Sequence, residues 1–213
     1  MRHLMCRRVV SFVTEVLRDE ALRIIQQAGV VAPEDRALRS GSLQSGIRIM
    51  ARDLAATLER RYAVSTDAVW TAWTTAEAVA AWWGPRGFVT TILELSPHAA
   101  GGFRYEMTAE APQVVRFMDA HGLPRSTVVC GYFKDVVELE RLTVVQLVDF
   151  VPGVQPYEVS SSLVLRPAKA DTGCLARLTI DRMHDDEWSE RTIDGWRGQL
   201  RRLAAYLIRH SVP

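Results

Sequence analysis

From Leu54 onward the apolar residues alternate, segment after segment, until Asp185, where a helical stripe begins and runs to Arg209. That succession leaves few folds open. Strands of alternating pattern present one apolar face, and the element long enough to cover it is the helix that ends the chain. The predicted strands are Leu54–Val64, Phe88–Leu95, Gly102–Thr108, Thr127–Glu138, Leu142–Val151, Tyr157–Arg166 and Cys174–Asp181. The closing helix carries Trp188, Thr192/Ile193, Trp196, Leu200, Leu203/Ala204 and Leu207 on one side. Its start is acidic (Asp185, Asp186, Glu187) and its end basic (Arg201, Arg202, Arg209), as the helix dipole favours.

Two short helices separate the first two strands. Ser65-Thr66-Asp67 supplies an N-cap for a turn or two bearing Val69, Trp70, Ala72, Trp73 and Thr74. Thr75 is placed to cap a second helix, Ala76 to Trp83, which Gly84-Pro85 stops. A third helical stretch, Ala111–Gly122, has Pro112 near its start and Gly122 at its end. It lies between strands, so it is an insertion over a sheet edge or a cavity mouth. The order is strand, two short helices, six strands and a long helix: an α+β chain. A curved antiparallel sheet and a straight helix do not meet everywhere, and the gap between them is a cavity.

The chain before Leu54 differs in texture. Val9, Phe12, Val13, Val16, Leu17, Ala21, Ile24, Ile25 and Ala28 fall at helical spacing, and Gly29 sits where a C-cap would. Residues 29–50 are turn-rich. The expected division is therefore 1–53, an extra N-terminal amphipathic helix and linker, and 54–213, the sheet-and-helix domain. Met50-Ala51-Arg52-Asp53 also looks like a natural start, which would make the preceding stretch a mis-assigned extension. If the N-terminal helix forms, its stripe must be buried on something, and a homodimer is one way to do it.

Bulk properties narrow the partners. Net charge is +1, which gives no reason to expect nucleic acid or an acidic membrane. The 48% apolar content suffices for a sizeable core. Nearly all of the 26 basic residues are arginine, which a GC-rich coding sequence explains. Cys6, Cys130 and Cys174 show neither metal-ligand nor redox spacing, so a reducing cytoplasm is the expected setting. No apolar run is long enough for a membrane span, and no secretory cleavage pattern follows the basic start.

Val69-Trp70-Thr71-Ala72-Trp73-Thr74, followed by Trp82-Trp83-Gly84-Pro85-Arg86-Gly87-Phe88, resembles the opening of the activator-of-heat-shock-protein-90-ATPase homologue-like family. That family belongs to the START-type, or SRPBCC, superfamily, which includes polyketide cyclases and pollen-allergen-type carriers. Gly101-Gly102-Phe103-Arg104-Tyr105 is similar to its Gly-Gly turn, and Asp194-Gly195-Trp196 with Leu200, Leu203 and Leu207 to its closing helix. The resemblance spans about residues 55–208 and implies a helix-grip fold, a curved antiparallel sheet wrapped around a long C-terminal helix. The helical insertion at 111–125 departs from the family's usual short hairpin. The family name does not by itself assign an activity.

The Trp82-Trp83 pair is the strongest local feature. Successive helix residues point about 100° apart, so both rings cannot face the same way; either both are structural, or one packs in the core and the other lines a cavity wall or stacks on Arg86. Trp73, Trp188 and Trp196 are expected on inward helix faces, where core packing is the plainer role for each. Phe88 opens the second strand, directly after the double-tryptophan motif. On Gly102–Thr108 the apolar set Phe103, Tyr105 and Met107 should face the helix, bringing the Tyr105 hydroxyl inside. On the Leu142 strand either Gln146 or Asp149 points inward, and Asp149 is the expected ionisable cavity residue. The candidate ligand-binding set is thus Trp73, Trp82, Trp83, Phe88, Tyr105, Met107, Asp149 and Trp196.

His98 and His121 have no second ligand at metal spacing, and no cofactor or nucleotide motif is present. The leading expectation is a binding protein for a small hydrophobic ligand, without catalysis. A cyclase- or dehydratase-like enzyme would need Tyr105, Asp149 and His121 to converge in one pocket. A co-chaperone-like interaction module would need an exposed apolar patch.

Overall fold

The computed structural model describes residues 54–149, 151, 154–168 and 173–210, and the N-terminal helix, the linker and the first domain of the expected division lie outside them. Seven strands form one antiparallel sheet: β1 Leu54–Tyr62, β2 Phe88–Leu95, β3 Gly102–Ala109, β4 Ser126–Val137, β5 Arg141–Val148, β6 Tyr157–Pro167 and β7 Cys174–Asp181. Among the described residues four helices accompany it: α1 Thr66–Thr74, α2 Ala76–Trp82, α3 Pro112–Ala120 and α4 Asp186–His210.

The sheet order is β1-β7-β6-β5-β4-β3-β2, so strands adjacent in sequence at the start of the domain stand at opposite edges. The α1–α2 connection must therefore cross the width of the sheet, and it does so at one end, packed against α4. Every element expected from Leu54 onward is present, with ends displaced by a few residues. β5 stops at Val148 rather than Val151.

Local chemistry explains the helix ends. The Ser65 hydroxyl accepts from the Ala68 amide at 3.1 Å, and Asp67 lies in the positive first turn of α1. Thr75 occupies the N-cap of α2 but does not cap it with its side chain. Its hydroxyl turns back and donates to the Thr71 carbonyl at 2.8 Å, closing α1 instead. The open carbonyl end of α2 is met from α4, where Arg202 Nε donates to the Trp82 carbonyl at 3.0 Å.

The sheet's inner face and α4 enclose the core. Leu58, Phe103, Phe133, Leu142, Val144, Leu163, Leu178 and Ile180 come from strands, and Trp196, Leu200, Leu203 and Leu207 from α4. The expected α4 stripe is corrected at its start. Ser189 is buried where Trp188 was expected, because its hydroxyl donates to the Asp185 carbonyl and accepts from the Met183 amide. Trp188 is rotated out and lies beside His184 and Arg191.

Candidate functional site

The α1–α2 end of the interior is filled with aromatic rings. Trp73 stacks on Trp196 (5.8 Å between centroids, 14° between planes) and meets Trp82 at 4.8 Å. Trp83 stands edge-on to Trp73, Trp82, Trp196, Phe103 and Tyr105. Both Trp82 and Trp83 are buried, as the structural alternative for the pair has it. The reason is local: Trp83 is the C-cap of α2 and has left the helix for an extended backbone, φ −73° and ψ 153°. The 100° rule no longer governs its direction, and Arg86 stays exposed.

A close turn holds this arrangement. Gly84 has φ +90°, and a Cβ there would lie 2.5 Å from Thr90 Oγ1. Thr90 in turn donates its hydroxyl to the Trp83 carbonyl at 2.8 Å. The indole of Trp82 donates to the Ala72 carbonyl at 2.8 Å, tying α2 to α1. Trp73 Nε1 is buried without a partner, so this aromatic floor keeps one unused donor.

Beyond the floor lies a polar pair. Gln146 Nε2 donates to the Tyr105 hydroxyl at 2.8 Å, from β5 to β3 across the intervening β4. The β4 residue aligned with Gln146 is Gly131, which has no side chain to block the crossing. Strand spacing is tight there: a Cβ on Gly131 would lie 2.4 Å from the Val145 carbonyl oxygen. Burial pushes the Tyr105 phenol up to about 12, with the Trp83 and Gln146 hydrogen bonds pulling the other way. The inward polar residue of β5 is therefore Gln146. Asp149 is exposed beyond the strand's end, which corrects the expectation of a buried carboxylate.

Around this pair the interior is less completely closed. Met107, Val129 and Ile193 pack against the aromatic core yet keep part of their surface exposed, as does Gln146. Phe88 sits elsewhere, half-buried against a second cluster of Ala109, Phe117, Met118 and Leu123 beneath α3. The insertion thus covers the β2–β3 end of the sheet with its own small core. His121 closes α3, with its ring on Phe117 and its Nδ1 at 2.8 Å from the Phe117 carbonyl oxygen. Tyr105, His121 and Asp149 consequently occupy three different surroundings and do not form one acid–base constellation.

Sequence reasoning missed a further group. Tyr157, first residue of β6, brings its hydroxyl to 2.7 Å from His184 Nδ1, and His184 Nε2 is 3.4 Å from Asp185 Oδ2. The amide of His184 also donates to the Tyr157 oxygen at 3.3 Å. These residues are 27 positions apart in the chain and meet because β6 pairs with β7, so no short motif marks them. Asp185 additionally accepts from the Trp188 amide at 2.7 Å, capping α4.

On the far side of the helices a concavity of about 280 Å³ lies between α1 and the end of α4, lined by Asp67, Thr71, Tyr206, Leu207 and His210 among others. It is separate from the tryptophan floor and includes none of the expected ligand-binding residues. Among the described residues, no group of three or more His, Cys, Asp or Glu side chains is placed to hold a metal ion. No described helix is long and apolar enough to cross a membrane.

Comparison with known proteins agrees with this architecture. A protein of Chromobacterium violaceum is similar at 21% identity and TM-score 0.56, covering 70% of this chain and 94% of its own. A Silicibacter pomeroyi protein titled AHSA1 is likewise 21% identical, TM-score 0.56, covering 72% and 96%. A protein of Mycobacterium smegmatis, 14% identical, matches at TM-score 0.54 over 72% and 90%. A search of the curated proteins finds no match. The profile of the family described as "Activator of Hsp90 ATPase homolog 1-like protein" matches residues 63–208, and with the helix-grip sheet and its tryptophan floor this makes the chain a member of that family.

Proposed function

We propose that the protein binds a small apolar or aromatic molecule between the inner face of the sheet and the first half of α4, in the cytoplasm and without a cofactor. The observation that carries this reading is the contrast along the interior. Four tryptophans close one end, while Met107, Val129, Gln146 and Ile193 keep exposed surface next to them. Apolar side chains around a few fixed polar groups are the usual make-up of a ligand site. Here Gln146 and the Tyr105 hydroxyl are the polar groups, and Met107 is the adaptable wall. Trp73, Trp82, Trp83 and Trp196 then act as the floor on which the ligand rests; Phe88 and Asp149 lie outside it.

The neutral aromatic probe N-phenyl-1-naphthylamine tests the reading. Saturable one-to-one binding that quenches tryptophan emission is expected. Val129→Trp, which fills the space beside Tyr105, should abolish it. Binding that is absent in the unaltered protein, or untouched by Val129→Trp, would contradict the assignment.

The interaction-module reading is less well supported. Among the described residues, the exposed large apolar side chains Leu54, Val89, Leu93, Val128, Leu139 and Ile208 are spread over β1, β2, β4, the β4–β5 turn and α4.

A further inference from the structure

We propose that Tyr157, His184 and Asp185 form an acid–base site at the rim of the sheet–helix interior, able to remove a proton from an acidic C–H group of a small aromatic molecule. The proposal rests on the binding reading above and adds chemistry to it.

Three observations carry it. First, Tyr157 stands partly exposed at the edge of the sheet's inner face. It pairs with Val148, which is 4% exposed, and has the inward parity of Ser161 on the same strand. Gln146 pairs with Val159 on that strand, so Tyr157 stands one inward position, about 7 Å, further along it. Second, the phenol bridges the sheet to the β7–α4 connection, touching Met183 Sδ at 3.9 Å and His184 Nδ1 at 2.7 Å. Third, the three groups are in series. With the Nε2 proton directed at Asp185, Nδ1 is the acceptor and Tyr157 the donor, which is the order a proton relay needs.

Partial burial pushes the Tyr157 phenol up; the His184 backbone hydrogen bond opposes this, and the nearby Asp185 charge adds to it. The phenol therefore stays protonated, and its route to deprotonation is transfer to His184. In the reaction the electron pair of the ligand's C–H bond moves into the ligand and the proton passes to the Tyr157 oxygen. The phenol proton passes at the same time to His184 Nδ1, and the resulting imidazolium is stabilised by Asp185. Water then removes that proton and resets the site. Tyr157 touches the ligand; His184 is the proton acceptor behind it; Asp185 is a positioning residue.

A probe that needs only a base is 5-nitrobenzisoxazole. Loss of its C3 proton forms a nitrile as the ring N–O bond breaks, and the released phenolate is coloured. No oxidant or second reactant enters. The unaltered full-length protein should accelerate ring opening above buffer in a saturable way. Tyr157→Phe and His184→Gln should each lower kcat by about a hundredfold, the lower end of what a positioned acid or base contributes. Asp185→Asn keeps an N-cap side chain for α4. It should lower kcat while leaving KM and Tm in place, which a purely structural role for Asp185 would not do. Glu59→Gln, on the outer face in an ion pair with Arg177, should leave the rate unchanged.

Equal rates in the unaltered protein, Tyr157→Phe and His184→Gln would overturn the proposal. So would absence of acceleration while N-phenyl-1-naphthylamine still binds, and in that case the binding reading survives. Loss of both acceleration and binding would remove the two together.

Discussion

Gln146 reaches across a whole strand to donate to the Tyr105 hydroxyl, and it can do so because Gly131 lies between them. One absent side chain on β4 thus lets β5 and β3 join on the inner face, beside the aromatic end. The bond is part-buried, since Tyr105 is enclosed while Gln146 keeps some exposed surface. Losing it costs about 0.5–1.5 kcal/mol, so Tyr105→Phe should lower chemical-denaturation stability by that amount. Gln146→Leu combined with Tyr105→Phe should recover part of it.

The same phenol makes stability depend on alkaline pH. Tyr105 titrates near 10.0 when unfolded and at about 12 when folded. Between those values the unfolded state releases a proton that the folded state keeps, so stability is complete below pH 10 and falls as pH rises toward 12. Tyr62 is raised further by burial and acts in the same direction. Tm measured across this window should fall less steeply in Tyr105→Phe than in the unaltered protein, without becoming flat.

Gly131→Ala tests the strand crossing itself. The added Cβ would meet the Val145 carbonyl, which belongs to the backbone and cannot swing aside. Overpacking of this kind costs about 1–3 kcal/mol. Thermal denaturation should show that loss, and the β4–β5 amides flanking Gly131 should exchange hydrogen faster.

Trp196→Ala should be among the most damaging single changes. Its ring is 4% exposed and contacts both Trp73 and Trp83. Truncation of a buried aromatic costs about 3–5 kcal/mol, a large share of a domain's typical margin. By contrast, Ser65→Ala removes one cap bond and should cost about 1 kcal/mol. Urea midpoints of the two variants should rank accordingly.

Much of the fold was legible because period and punctuation agree. Ser65 before Ala68, Gly84-Pro85 after Trp83, and alternation from Phe103 to Met107 each state locally what the sheet and helix require globally. The site was less legible. The helical wheel does not extend to Trp83 because the helix ends one residue earlier, and element ends are where pattern reasoning is weakest. Asp149 was read as continuing a strand that stops at Val148. Gly131 carried no signal, since its role depends on which residue the neighbouring strand sets beside it. Tyr157 and His184 meet only through strand pairing, at a separation no motif spans.

The central claim is that ligand occupies the space beside Tyr105 and Gln146, next to Met107. Methyl NMR of the methionines during titration with N-phenyl-1-naphthylamine addresses it directly. Met107 is partly buried against the aromatic core, whereas Met118 is 1% exposed in a separate cluster with α3. The account predicts a saturable shift of the Met107 methyl signal with Met118 unmoved. An unmoved Met107 signal at saturating probe, or equal shifts at both methionines, would contradict it.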